Sequence, residues 1–173
     1  MLWMRAAAPT VALRTQVGLP EGLLQRVVDG TLDLAVVYAP RYLPGLKVEM
    51  IFEERLVLAT TDPAVTDVRD SDYVYVDWGS EFARHHQMSF PGVGSPGLFV
   101  DLGPLALDYV LQAGGIGYFR QRALRPHLAA GRLHLVPNAP EFLYPVYAVR
   151  AADGDDEALM ATALRGLRET AAD

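Results

Sequence analysis

Residues 23–37, Leu23-Leu24-Gln25-Arg26-Val27-Val28-Asp29-Gly30-Thr31-Leu32-Asp33-Leu34-Ala35-Val36-Val37, pass from one hydrophobic period to another within a single short stretch. Leu23, Leu24, Val27 and Val28 recur at helical spacing, which predicts a helix over Glu21 to Asp29 with one apolar face. Gly30 stands where a left-handed C-terminal cap belongs. Leu32 to Val37 is a nearly continuous apolar run, the pattern of a strand covered on both faces.

Upstream, Thr10 to Arg14 (TVALR) is a short run with β-branched residues after Pro9, and it predicts a strand. Strand, helix and strand in close succession read as a right-handed parallel crossover. Downstream the alternation continues. Strands are predicted at 55–60, 73–76, 98–100, 116–119, 133–136 and 144–150. Helices are predicted at 80–87 with Ser80 as N-cap, at 103–113, at 123–130 ended by Gly131, and at 156–168. The 103–113 helix has its apolar face at Leu105, Tyr109, Val110 and Ala113, and the last helix buries Leu159, Met160, Ala163, Leu164 and Leu167. The fold class is α/β with mostly parallel sheets. In such sheets a ligand lies beyond the carboxyl ends of the strands. That rule selects the loops Thr15-Gln16-Val17-Gly18, Tyr38-Ala39-Pro40, Asp77-Trp78-Gly79, Asp101-Leu102-Gly103 and Phe119-Arg120.

Half of the 173 residues are apolar, enough for a packed core. A net charge of -6 without long basic runs argues against a nucleic-acid surface, which needs clustered Lys and Arg. The absence of cysteine removes thiolate chemistry, disulfides and Cys-based zinc sites, and it fits a cytoplasmic protein. No apolar stretch is long enough to span a membrane, and Met1 to Ala6 lacks the pattern of a signal peptide.

Signals for catalysis and cofactors are weak throughout. Gly92 to Gly97 contains Pro96 and no following Lys, so it reads as a turn and not a phosphate loop. Gly114-Gly115-Ile116-Gly117 lacks dinucleotide spacing and leads into a strand. His85 and His86 are adjacent, point about 100° apart on a helix, and read as a solvated helix face. Asp153 to Glu157 lacks calcium-loop spacing and supplies charge to a helix N-terminus. Asp77 and Asp101 each follow a strand. They either cap the next segment or form a carboxylate pair able to do acid–base work. Trp78, with Tyr38 and Phe82, either walls a cavity or belongs to the core. No metal site and no cofactor are expected.

Four segments, in order and register, resemble the effector-binding domain of LysR-type transcriptional regulators. Residues 23–37 are similar to that family's helix, G-x-L-D, strand element. Leu43-Pro44-Gly45-Leu46 followed by Phe52 to Leu58 resembles its E-x-L-V-L crossing strand. Leu111 to Phe119 resembles its A-G-x-G-I segment, with Arg120 where the family usually has Pro. Leu128 to Leu133 resembles its G-x-L turn.

The resemblance implies a two-lobed fold like type-2 periplasmic binding proteins. Lobe one would be residues 1–55 plus 151–173, and lobe two residues 56–150. A small-molecule effector would bind between them. It implies a homodimer with lobe one of one chain beside lobe two of the other. DNA contact would come only through a helix-turn-helix domain that this sequence does not contain. The family's first strand would also be missing, an N-terminal truncation that leaves backbone groups unpaired in lobe one. The ligand-contact positions carried over are Thr15, Gln16, Val17, Tyr38, Asp77, Trp78, Asp101, Tyr118 and Phe119. No enzyme activity is expected. A transport-type solute-binding protein of the same fold and an enzyme using Asp77 and Asp101 are the rival readings.

Overall fold

A computed structural model describes residues 1–38, 40–68, 72–93, 95–154 and 156–172. The chain forms two compact units, residues 1–53 with 145–173, and residues 54–144. The sequence readings that include Ala39, Gly94 and Asp155 lie partly outside the described residues.

The first unit holds α1 (Leu2–Ala7), α2 (Pro20–Val28), β1 (Ala35–Tyr38), the first part of β2 (Leu46–Thr60), most of β7 (Phe142–Ala151) and α6 (Glu157–Ala172). Pro20 at the first helical position has no N–H to leave unpaired and starts α2. The helix ends in a Schellman arrangement. Gly30 takes φ +68°, its N–H donates to Val27 O at 3.2 Å, and the Thr31 N–H donates to Arg26 O at 2.9 Å. Leu24 and Val27 then seat α2 on Ala35, Val37 and Val149, each burial worth roughly 2 kcal/mol. A second cluster joins Ile51, Val146, Ala148 and Leu164 of α6.

Three expectations fail in this unit. Thr10 to Arg14 is not a strand. An extended segment becomes one only where its N–H and C=O groups find a ladder, and this one finds none among the described residues. It stretches between α1, whose Trp3 Nε1 donates to Glu169 of α6 at 2.7 Å, and α2, whose Arg26 is hydrogen-bonded to Gln16. The predicted strand–helix–strand crossover is therefore absent. The sheet is also not mostly parallel, since β1 pairs antiparallel with β7 in the register Ala35↔Val149 to Tyr38↔Val146.

The second unit contains the rest of β2, then β3 (Tyr73–Val76), α3 (Ser80–Ser89), β4 (Leu98–Val100), α4 (Gly103–Ala113), β5 (Ile116–Arg120), α5 (Gln121–Ala129) and β6 (His134–Leu135). β5 and β6 pair antiparallel with β2, through Leu56↔Arg120 to Thr60↔Ile116 and through Ala59↔Leu135. Among the described residues the parallel pairs are those of β3, which lies between β4 and β5. Gly131, at φ +64°, closes α5 with the same Schellman pattern that ends α2.

Two helix details depart from expectation. Ser80 is the first helical residue of α3, and Gly79 at φ +101° takes the N-cap position. Helix α4 turns Gly103, Ala106, Leu107 and Val110 inward, while Leu105 and Tyr109 face solvent. Gly103 explains that rotation. Its Cα abuts the Trp78 ring so closely that any Cβ would overlap it, which fixes the face α4 presents.

Candidate functional site at the strand tips of the second unit

β3 and β4 end level with each other, because their register pairs Val76 with Val100. The ladder extends one residue further, with Asp77 N–H donating to Val100 O at 2.9 Å. Asp77 Oδ1 then accepts the Gly79 N–H at 2.8 Å and turns the chain into α3. Of the two roles open to Asp77, capping is the one formed. Asp101 makes no such bond, and α4 begins without a side-chain cap.

Side chains two apart on a strand share a side, so Tyr75 and Asp77 face the same way, as do Phe99 and Asp101. Together with Ser80 and Ala83 of α3 they line an open depression of about 440 Å³. Tyr75 and Phe99 meet with ring centroids 5.4 Å apart. Partial burial, and then the negative charge of Asp77, raise the Tyr75 phenol above its ordinary pKa.

Behind the depression, Trp78 is buried and donates its Nε1–H to Tyr118 O at 3.0 Å. The Arg120 guanidinium lies over the Trp78 ring at 5.2 Å from its centroid. Tyr118 and Phe119 are core residues. Tyr118 packs on Phe142 at 4.9 Å and Phe82 at 5.7 Å, and its hydroxyl donates to Pro140 O at 2.9 Å. Phe82 is fully buried in the same aromatic cluster.

His86 overturns the solvated-face reading. It is only 7% exposed, stacks on Tyr73 with centroids 5.5 Å apart, and its Nε2 lies 2.7 Å from the Tyr73 hydroxyl. Burial lowers its pKa and raises that of Tyr73 well above the ordinary phenol value. Both rings are therefore neutral and share one hydrogen bond, donated by the Tyr73 hydroxyl or by Nε2–H according to the imidazole tautomer.

The remaining candidates belong to the first unit. Thr15, Gln16 and Val17 are exposed and outside regular structure, with Val17 88% exposed. Tyr38 ends β1 half-buried, packed on the cluster around Leu164. The structure brings Asp77 and Asp101 together on one depression and places Trp78, Tyr118 and Phe119 in the core of the same unit.

Sequence reasoning did not pick out Tyr75, Ser80 or Phe99. Period-two counting back from the two aspartates would have found both aromatics. Nor did it find Glu54, buried in β2 and held by Arg122. Nothing in local sequence reports a pair of that separation. Among the described residues no group of three or more His, Cys, Asp or Glu is placed to hold a metal, and no helix is long and apolar enough to cross a membrane.

Solved structures share this fold at low identity. The reduced regulatory domain of OxyR from Pseudomonas aeruginosa aligns with a TM-score of 0.78 at 16% identity, covering 97% of this chain and 88% of that one. The apo regulatory domain of HypT from Salmonella typhimurium gives 0.74 at 16%, covering 98% and 88%. Full-length LysG from Corynebacterium glutamicum with bound effector Arg gives 0.73 at 16%, covering 96% of this chain and 64% of LysG. These are LysR-type regulators, and the shared architecture is the type-2 periplasmic-binding-protein-like fold. No curated protein sequence matches the chain significantly. The family described as the LysR substrate binding domain matches residues 4–172, almost the whole chain, and the chain belongs to that family.

Proposed function

We propose that this chain is the effector-sensing part of a transcriptional regulator and acts by binding, not by catalysis. The family match over residues 4–172 carries the reading. A small molecule that prefers one conformation shifts the population toward it by its differential affinity, and that shift is the signal. One relative of the same fold, LysG, has Arg as its effector.

In the second unit the depression beside Asp77 and Asp101 supports ligand contact there, with Trp78, Tyr118 and Phe119 as the packed support behind it. In the first unit the exposed Thr15, Gln16 and Val17 and the half-buried Tyr38 are the proposed contacts. Asp77 is committed to the Gly79 N–H, which favours a structural and ligand-orienting role over a proton-transfer pair.

Leu102, Leu105 and Tyr109 lie on one side of α4, 45%, 58% and 46% exposed, and support a homodimer that covers them. DNA contact falls to a helix-turn-helix domain of the same regulator, working in the cytoplasm. A thermal-shift series over small acids, amines and aromatics tests the sensing reading. A ligand that binds the folded state raises Tm with concentration. A flat response across all three classes overturns it.

A further inference from the structure

The charged side chains that line the depression at the tips of β3 and β4 are of one sign. Across the parallel register, Tyr75 and Phe99 stand side by side, and Phe99 keeps 63% of its surface exposed. An exposed phenylalanine held against a tyrosine makes an aromatic wall that the chain itself leaves uncovered. The charged side chains around that wall are Asp77 and Asp101, and among the described residues no Lys, Arg or His lines the depression. Asp77 has one oxygen on the Gly79 N–H, while Asp101 has no hydrogen bond or ion pair among the described residues. The field of Asp77 already reaches the wall, since it helps raise the Tyr75 phenol.

An anionic ligand would meet two carboxylates of its own sign. A cation meets carboxylates at the rim and the negative faces of two rings on the wall, both attractive. Helix α3 starts at the same rim and its N-terminus favours negative charge, but Asp77 and Glu81 supply that charge from within the chain. A volume of about 440 Å³ suits a molecule of metabolite size.

We propose that this depression takes an organic cation, an amine or guanidinium carried on a short carbon chain. The inference rests on the effector-binding reading and adds the sign of the ligand's charge. Asp101 supplies the principal counter-charge, and Tyr75 with Phe99 cover the ligand's carbon chain.

The test is calorimetric titration of the purified full chain with agmatine and putrescine, alongside butylurea as an uncharged shape analogue and benzoate as an anion. At least one cation is expected to bind, with butylurea and benzoate weaker by about tenfold or more, the loss of one charge-assisted hydrogen bond. Asp101→Asn should weaken the cation by a similar factor while leaving Tm unchanged, because Asp101 is exposed and makes no bond within the fold. Phe99→Ala should also weaken it, and a far-ultraviolet spectrum matching the parent verifies the fold. Benzoate binding more tightly than both cations, failure of both cations to bind, or Asp101→Asn and Phe99→Ala binding them as the parent does would each overturn the inference. If acids or neutral aromatics still raise Tm in that event, the effector-sensing reading stands and only the charge assignment falls. If nothing in any class binds, both fall.

Discussion

Arg122 of α5 grips the carboxylate of Glu54 in β2 through Nη2 at 2.8 Å and Nε at 3.3 Å, and Glu54 is only 2% exposed. Arg120 adds a second positive charge at 4.0 Å from the same carboxylate. The carboxylate is the buried member, since the Arg122 side chain is 31% exposed, and a buried charge is tolerable when paired and costly when its partner is removed. Arg122→Met removes the two hydrogen bonds and leaves Arg120 as the nearby counter-charge, so it is expected to destabilise the second unit by about 1–3 kcal/mol in urea unfolding. The double variant Glu54→Leu with Arg122→Met should recover most of that loss. A double variant no better than Arg122→Met would show that the pair contributes through something other than buried charge.

Gly103 and Trp78 make a second test. Gly103→Ala drives a methyl into the indole ring, and overpacking of this kind costs about 1–3 kcal/mol. The ring must tilt, which disturbs its Nε1 bond to Tyr118 O. In a Trp3→Phe background Trp78 is the single tryptophan, so its emission should shift in Gly103→Ala. Unchanged emission and stability would mean that α4 moves aside freely.

His86 sets a pH dependence. Burial holds its folded-state pKa below the usual 6.5, so the unfolded chain takes up a proton first as the solution is acidified. Stability from this group is intact above about 6.5, falls as pH drops from there toward the folded-state value, and levels off below it. Protonation would also place a charge among the rings that bury this imidazole. His86→Gln keeps a side chain that can donate or accept without titrating, so its Tm should decline less than the parent's between pH 7.5 and pH 5.5. Equal slopes would remove His86 from the account.

The exposed side of α4 predicts an association defect. Leu105→Arg places a charge on a side chain that is 58% exposed, so the folded state should persist, which a far-ultraviolet spectrum matching the parent checks. If this side meets a second copy, sedimentation at micromolar concentration should show a dimer for the parent and a monomer for Leu105→Arg. A variant that sediments like a dimeric parent would place the interface elsewhere.

Much of the fold is legible in the chain because it is encoded locally. The helix at 20–28 announces itself through Leu24, Val27 and the stop at Gly30, and the strand at 73–76 through alternation. Thr10 to Arg14 misleads because strand-like composition says nothing about whether a partner edge exists. Helix α4 has the expected ends and Val110 of its expected face is buried, but Leu105 and Tyr109 face solvent, since the inward face is set by the contact of Gly103 with Trp78 and not by the largest apolar residues. His86 looked polar and solvated because the rings that bury it come from 73, 75, 82, 90 and 118. At the site, the strand-end rule found Asp77 and Asp101. The aromatics between them needed the register of two strands, which no single segment contains.

One consequence follows from the way residues 54–144 interrupt the other unit. On a ribosome the inner unit is finished while α6 is still unmade, so it can fold with all of its parts in hand. The outer unit must keep α2 and β1 waiting until β7 and Leu164 arrive, with Leu24, Val27 and Val37 still wet. The later segment of this unit therefore decides when the earlier one settles, and a ribosome that stalls before α6 leaves the apolar faces of α2 and β1 open to chaperones or aggregation.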